Sequence, residues 1–360
     1  MSVLVSISSL SPCSVPEEAA AAHRIDFMPV VVIFPHNQCN CRCVMCDIWR
    51  TRRAKEITPA DLEHHLDSFR QLGVRWVVLS GGEPQLNEKW SCLAQMLRSA
   101  GCRVTMLTAG LLLESQARTV AESVDDVIVS LDGPPAVHNR IRRVENAFEK
   151  LAQGVSAIRR LRPDMTVGAR CTVQKANHLS LGAAVQAAKD IGLNSISFLA
   201  ADLTSSAFNR PEGWRPDRAD RVALTAAEVD ALDVEVDKFL YEHRSDLESG
   251  FVVESAQKLR RIVQHFRAHL EQIESVAPRC NAPWVSTVIE ASGDVRPCFF
   301  HPALGNIHDQ PLADIVNGPR ALQFRSTLDV ANNSTCRRCV CSLHIPRPDT
   351  AGAREQHPTA

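Results

Sequence analysis

Between Pro29 and Ala201 the chain alternates short runs of β-branched and apolar residues with longer stretches whose apolar positions recur every three or four residues. Unbroken apolar runs suit strands buried on both faces, and the longer period suits helices lying over them. The pattern therefore predicts βα units on a parallel sheet. Six units can be counted, with strands expected at Val30–Phe34, Val74–Ser80, Arg103–Leu107, Asp126–Leu131, Thr166–Val173 and Ser195–Leu199. Helix starts are marked between them: Thr58-Pro59-Ala60-Asp61 sets a hydroxyl cap before a proline in the first turn, with an acid close behind. Six units are fewer than the eight of a closed barrel. The expected fold class is α/β, a partial (β/α)6 TIM-like barrel, with a flat doubly wound sheet as the alternative.

The periodicity changes after Ala201. Residues 202–218 are polar and rich in Pro and Arg, and Thr225-Ala226-Ala227-Glu228 is a capping box that opens a mostly helical stretch to about Val276. From Cys280 to about His344 short strands, turns and clustered cysteines take over, with Gly293-Asp294 as a hairpin signal. The expected organisation is a disordered segment 1–24, a barrel 25–205, a linker and helices 206–276, a small metal-nucleated module 277–345 and a disordered tail 346–360. Within the second part, Phe208 to Arg215 reads as solvated linker or, alternatively, as a lid or substrate wall.

Composition narrows the function. Lys and Arg number 40 against 41 Asp and Glu, so no field gathers nucleic acid or an anionic membrane, and no apolar run approaches a membrane span. The N-terminus has no basic start and makes a poor signal peptide. Thirteen cysteines without a secretion signal point to metal ligation and a cytoplasmic location rather than a disulfide framework.

The cysteines carry the chemistry. After the first strand, Cys39, Cys43 and Cys46 are spaced C-x3-C-x2-C on one loop. Three thiolates can ligate three irons of a [4Fe-4S] cluster and leave the fourth open, which suits catalysis. A zinc knuckle is the competing reading, but it favours paired C-x2-C units. Cys41 lies off the spacing and reads as a bystander. After the second strand comes Ser80-Gly81-Gly82-Glu83-Pro84, where two glycines admit close backbone approach and Glu83 offers a carboxylate to an ammonium group; read alone, it is a strand-to-helix turn.

Together with Asp47-Ile48-Trp49, these motifs resemble those of radical S-adenosylmethionine enzymes over about residues 29–205. The resemblance implies that Cys39, Cys43 and Cys46 hold a [4Fe-4S] cluster whose open iron chelates S-adenosyl-L-methionine, with Gly81, Gly82 and Glu83 at the methionyl ammonium. One electron would cleave the cofactor to methionine and a 5′-deoxyadenosyl radical that abstracts hydrogen from substrate. Met45, Ile48 and Trp49 would cover the cluster. Ser130-Leu131-Asp132-Gly133-Pro134, leading to His138 and Arg142, resembles the segment lining the nucleoside, with Ser130 and Asp132 as candidate partners of the ribose or the methionyl carboxylate; the alternative is an Asp-Gly-Pro helix cap. Arg170 is a further candidate, because Arg170 and Thr172 alternate with Cys171 and are expected to face the lumen.

Cys280, Gly293-x4-Cys298 and Cys336-Arg337-Arg338-Cys339 resemble a twitch domain, the shortened relative of SPASM, in which four cysteines hold one auxiliary [4Fe-4S] cluster. Cys341 is an alternative to Cys339, and a four-cysteine zinc site is the plainer reading. A closed cluster implies electron transfer, hence net oxidation of a small-molecule or peptide substrate, with a flavodoxin- or ferredoxin-type electron donor. Peptide maturation, redox-neutral epimerisation and a non-catalytic metal protein are the other readings.

Overall fold

The computed structural model describes residues 23–211 and 213–346. The expected disordered ends lie almost wholly outside the described residues. Six strands form at the expected places: β1 (Val30–His36), β2 (Trp76–Gly81), β3 (Arg103–Thr108), β4 (Asp126–Ser130), β5 (Thr166–Val173) and β6 (Ser195–Ala200). All neighbours among them are parallel. Their spatial order is β6-β5-β4-β3-β2-β1, so each crossover sets the next strand on the same side. A doubly wound sheet would reverse its strand order, and this one does not, which leaves the partial barrel.

Strand alternation separates two faces. Val31, Ile33, Val77, Leu79, Val104 and Met106 join the main core beneath the helices. Val30, Val32, Trp76 and Val78 face the lumen. Helix starts follow the local chemistry: Thr58 and Thr225 each close a capping box, with Asp61 and Glu228 returning the bond. The outer edge of β6 is covered rather than open. Phe251 and Val253 exchange backbone bonds with Ile196, and the Glu254 carboxylate accepts from Phe198 N at 2.7 Å.

The cysteine-rich segment is continuous with the barrel sheet. β7 (Ser286–Ile289) pairs parallel with β1, and β8 (Asp294–Arg296) and β9 (Gly305–Asn306) continue the sheet antiparallel, giving nine strands in one sheet. Gly293 makes the tight turn between β7 and β8 with φ +85°, a value open to glycine at little cost. Buried His65 binds the two regions together, meeting Ile307 O at 3.0 Å with Nε2 and accepting from Leu312 N at 3.2 Å with Nδ1.

Candidate functional site

The loop after β1 is fixed at three points. At its start, Gln38 O accepts from Glu83 N at 2.8 Å, and His36 O from Gly82 N at 3.2 Å. In its middle, Arg42 N and Val44 N donate to the carbonyls of Arg142 and Ile141 at 3.0 and 3.1 Å, at the C-terminal end of helix Pro135–Arg142. At its end, the Asp47 carboxylate accepts from Trp214 Nε1 at 2.5 Å and pairs with Arg218 at 3.3 Å and Arg50 at 3.0 Å. Trp49 Nε1 donates to Cys46 O at 2.9 Å.

Each thiol of the three-cysteine spacing receives its own N–H donor. Cys41 N approaches Cys39 Sγ at 3.5 Å, Arg142 Nη1 approaches Cys43 Sγ at 3.6 Å, and Ile48 N approaches Cys46 Sγ at 3.4 Å. Donors aimed at three sulfurs on one loop suit an iron–sulfur cluster, whose potential depends on such bonds. Cys41 is 1% exposed, and hydrogen bonds to Cys39 and Cys43, with burial, push its thiol pKa far up.

The Gly-Gly-Glu turn meets the loop at very short range. Glu83 is 0% exposed; its Oε2 accepts from Ala109 N at 2.8 Å and from the Thr108 hydroxyl at 3.0 Å, and its Oε1 from Gln85 N at 3.3 Å. Burial pushes its pKa up to about 7, against the opposing pull of these donors. A raised carboxyl pKa contributes stability below the ordinary value of 4.5 that is lost as pH rises through about 7. Across that window the folded cofactor-free chain keeps a proton that the unfolded chain has released. Its unfolding free energy should fall by about 3 kcal/mol and then level off. Urea titrations at stepped pH check this, and Glu83→Gln should flatten the slope.

The other predicted cofactor residues separate. Gly81, Gly82, Arg170 and Thr172 line the lumen cavity, whereas Cys171 packs beneath the helices. Ser130 stands beside Arg170 in the β4–β5 register. Arg170 Nη2 is buried without a hydrogen-bond partner among the described residues, as expected of a group awaiting an anion. Asp132 departs from the expectation that it meets the nucleoside. It is 0% exposed, its Oδ2 accepts from Arg142 Nε at 2.7 Å, and its Oδ1 accepts from Thr172 N at 3.2 Å, so it supports the cluster loop from behind.

In the C-terminal region Cys280, Cys298, Cys336, Cys339 and Cys341 line one pocket. N–H donors again point at sulfur: Ala282 N to Cys280 at 3.5 Å and Cys341 N to Cys339 at 3.3 Å. His301 Nε2 lies 3.4 Å from Cys336 Sγ. Cys298 takes backbone bonds from Phe300 and His301 while burial pushes its thiol up to about 12. The donor set fits a second iron–sulfur cluster.

Residues 33–173 match the Radical SAM superfamily, and residues 280–340 match SPASM, an iron–sulfur cluster-binding domain. The chain is a radical SAM enzyme. Its cofactors are a [4Fe-4S] cluster, an auxiliary cluster and S-adenosylmethionine. The enzyme is 28% identical to the AdoMet-dependent heme synthase of Methanosarcina barkeri, over 77% of this chain and 78% of that one. It is 27% identical to the pre-heme d1 synthase of Dinoroseobacter shibae, over 81% and 74%. In fold it is similar to Streptococcus suis SuiB bound to precursor peptide SuiA, with TM-score 0.63 and 15% identity over 91% of this chain and 74% of that one. It is likewise similar to anSMEcpe with bound AdoMet and Cp18Cys peptide, with TM-score 0.59 and 19% identity over 82% of both chains.

Between its two cysteine sets the enzyme has a cavity of about 760 Å³ that touches Met45 and Cys46 on one side and Val340 and Cys341 on the other. The polar segment after β6 is a wall of this cavity: Ala207, Phe208, Asn209, Arg210 and Pro211 line it. Phe208 and Asn209 adopt left-handed φ values of 59° and 63°. Asp47 N donates to Phe208 O at 3.3 Å, and Asn209 Nδ2 donates to Asp47 O at 3.0 Å. Arg210 pairs with Asp202 and stands over the Phe208 and Trp214 rings. Of the two readings from sequence, the structure favours the wall over the solvated linker. The signal was the aromatic and arginine content of the segment, which a solvated linker does not need. Among the described residues no helix is long and apolar enough to cross a membrane.

Proposed function

We propose that the enzyme oxidises a carboxylate-bearing substrate of the tetrapyrrole class. The observation that supports this reading is a cavity that touches Cys46 at one side and Cys341 at the other, with room for a substrate between the two cysteine sets. When bound, the cofactors supply one-electron cleavage of S-adenosylmethionine, hydrogen abstraction and an electron acceptor. Cys39, Cys43 and Cys46 hold the first cluster; Cys280, Cys298, Cys336 and Cys339 hold the second. Gly81 and Gly82 let the backbone approach the methionyl group, Glu83 receives its ammonium, and Ser130 and Arg170 receive its carboxylate. Asp132 contributes from behind the loop.

The chain's own residues shape the rest of the cavity. Val30, Val32, Trp76, Val78 and Phe299 form an apolar surface suited to a flat ring. Lys55 and Arg296 also line the cavity; Lys55 has no ion-pair partner among the described residues, and Arg296 pairs with Glu290, another lining residue, at 2.7 Å. Apolar lining with an unpaired lysine beside it suits a ring carrying acidic side chains. The names of the relatives, heme synthase and pre-heme d1 synthase, support the same class.

Anaerobic, reduced, iron-loaded enzyme is expected to form 5′-deoxyadenosine from S-adenosylmethionine, and Fe-coproporphyrin III is expected to bind with a shifted Soret band and be consumed. No spectral shift and no consumption by an enzyme that still makes 5′-deoxyadenosine would exclude tetrapyrroles. Cys298→Ala tests the oxidation: the oxidised product should vanish while 5′-deoxyadenosine formation persists. Unchanged turnover without the second cluster would remove its role as electron acceptor.

A further inference from the structure

Of the three donors to the cluster-loop sulfurs, the buried Arg142 is the only one that is a charged side chain. It is 7% exposed, at the last turn of helix Pro135–Arg142, and its guanidinium bridges two groups. Nε donates to Asp132 Oδ2 at 2.7 Å, and Nη1 lies 3.6 Å from Cys43 Sγ. Asp132 is in turn held on every side. Its N–H donates to His138 Nδ1 at 3.2 Å, its carbonyl accepts from Asn177 Nδ2 at 3.0 Å, and its second carboxylate oxygen accepts from Thr172 N at 3.2 Å. Removing a guanidinium from water is costly unless it is matched by negative charge and hydrogen bonds. Asp132 supplies one such charge. The thiolate of Cys43, once a cluster ligand, supplies the other.

We infer that Arg142, oriented by Asp132, is a positioning residue that sets the reduction potential of the radical-generating cluster through its contact with Cys43. The inference rests on the reading that Cys39, Cys43 and Cys46 hold that cluster. Hydrogen bonds to ligand sulfur and nearby charge set cluster potentials. Reduction adds one negative charge to the cluster, and a fixed guanidinium at the sulfur favours the more negative state. Asp132 opposes this in part and keeps the guanidinium aimed. The helix end makes the arrangement rigid, because the carbonyls of Ile141 and Arg142 already pair with Val44 N and Arg42 N of the same loop.

The test is a redox titration of the full iron-loaded chain, followed by electron paramagnetic resonance, reading the signal that changes when S-adenosylmethionine is added. Arg142→Gln should lower the reduction equilibrium constant at least tenfold, which is about 59 mV for one electron. Arg142→Lys keeps the charge and should shift it by less. Asp132→Asn removes a negative charge and should shift it upward. Opposite signs in the Gln and Asn variants are not expected of a merely structural clamp. An unchanged potential in an iron-loaded Gln variant, or shifts of the same sign in both, would overturn the inference. If the Gln variant does not hold iron, Asp132→Asn decides alone: a rise supports the inference, and no change or a fall overturns it. Cys43→Ala with undiminished iron would instead overturn the ligand reading.

Discussion

Replacing Cys43 by Ala should remove about four irons per chain and take 5′-deoxyadenosine formation to background, because a [4Fe-4S] cluster held by three thiolates cannot spare one. The same result is expected for Cys39→Ala and Cys46→Ala. Cys41→Ala should keep its iron and its cleavage activity, since Cys41 is a buried neighbour of Cys39 and Cys43 that lies off their spacing, and its backbone N–H to Cys39 Sγ survives the change. Loss of the side chain beside two ligands should lower activity by less than about tenfold, the low end of effects on outer-shell partners of metal ligands. Iron content and 5′-deoxyadenosine, measured on all four variants, separate three ligands from one spectator. A Cys41→Ala chain without iron would move Cys41 into the ligand set.

Gly82→Ala should be nearly as damaging, for a steric reason. A Cβ built at Gly82 would lie 2.0 Å from Gln38 O and 2.7 Å from Gln38 C, both backbone atoms of the cluster loop. The loop cannot yield without breaking the bond from Glu83 N to Gln38 O. Overpacking of a close site costs about 1–3 kcal/mol, and here the strain falls on the segment that positions Cys39. The expected outcome is a lowered thermal midpoint, weakened binding of S-adenosylmethionine and loss of most cleavage activity. Gly192→Ala is the control: its Cβ would meet nothing within 4 Å, although its φ of +75° adds backbone strain. A control of similar thermal stability with full activity would isolate the collision at Gly82.

Local signals were legible in the sequence to within a residue or two. The β5 run matched end to end, and both threonine caps formed, because a buried parallel strand and a capping box are written in adjacent residues. The alternation of Arg170, Cys171 and Thr172 across β5 was equally readable, since a strand turns successive side chains to opposite faces. Asp132 shows the limit. Its motif placed it beside the cofactor, but an aspartate's partners depend on which helix end packs against it, and here that partner is Arg142.

The sequence by itself determined the six parallel strands, the three-cysteine loop, the Gly-Gly-Glu turn and the presence of a second cysteine set. All of these depend on spacing within a few residues. Tertiary structure alone decided that β7 joins β1 in one sheet, that the segment at Phe208 closes the cavity, and that Arg142 reaches Cys43. Arg142 and Cys43 stand 99 residues apart, and Trp214 and Asp47 stand 167 apart. No local period or turn chemistry encodes such pairs. They form because curving the partial barrel brings the C-terminal ends of its strands to one rim, where loops from distant parts of the chain meet around the cavity.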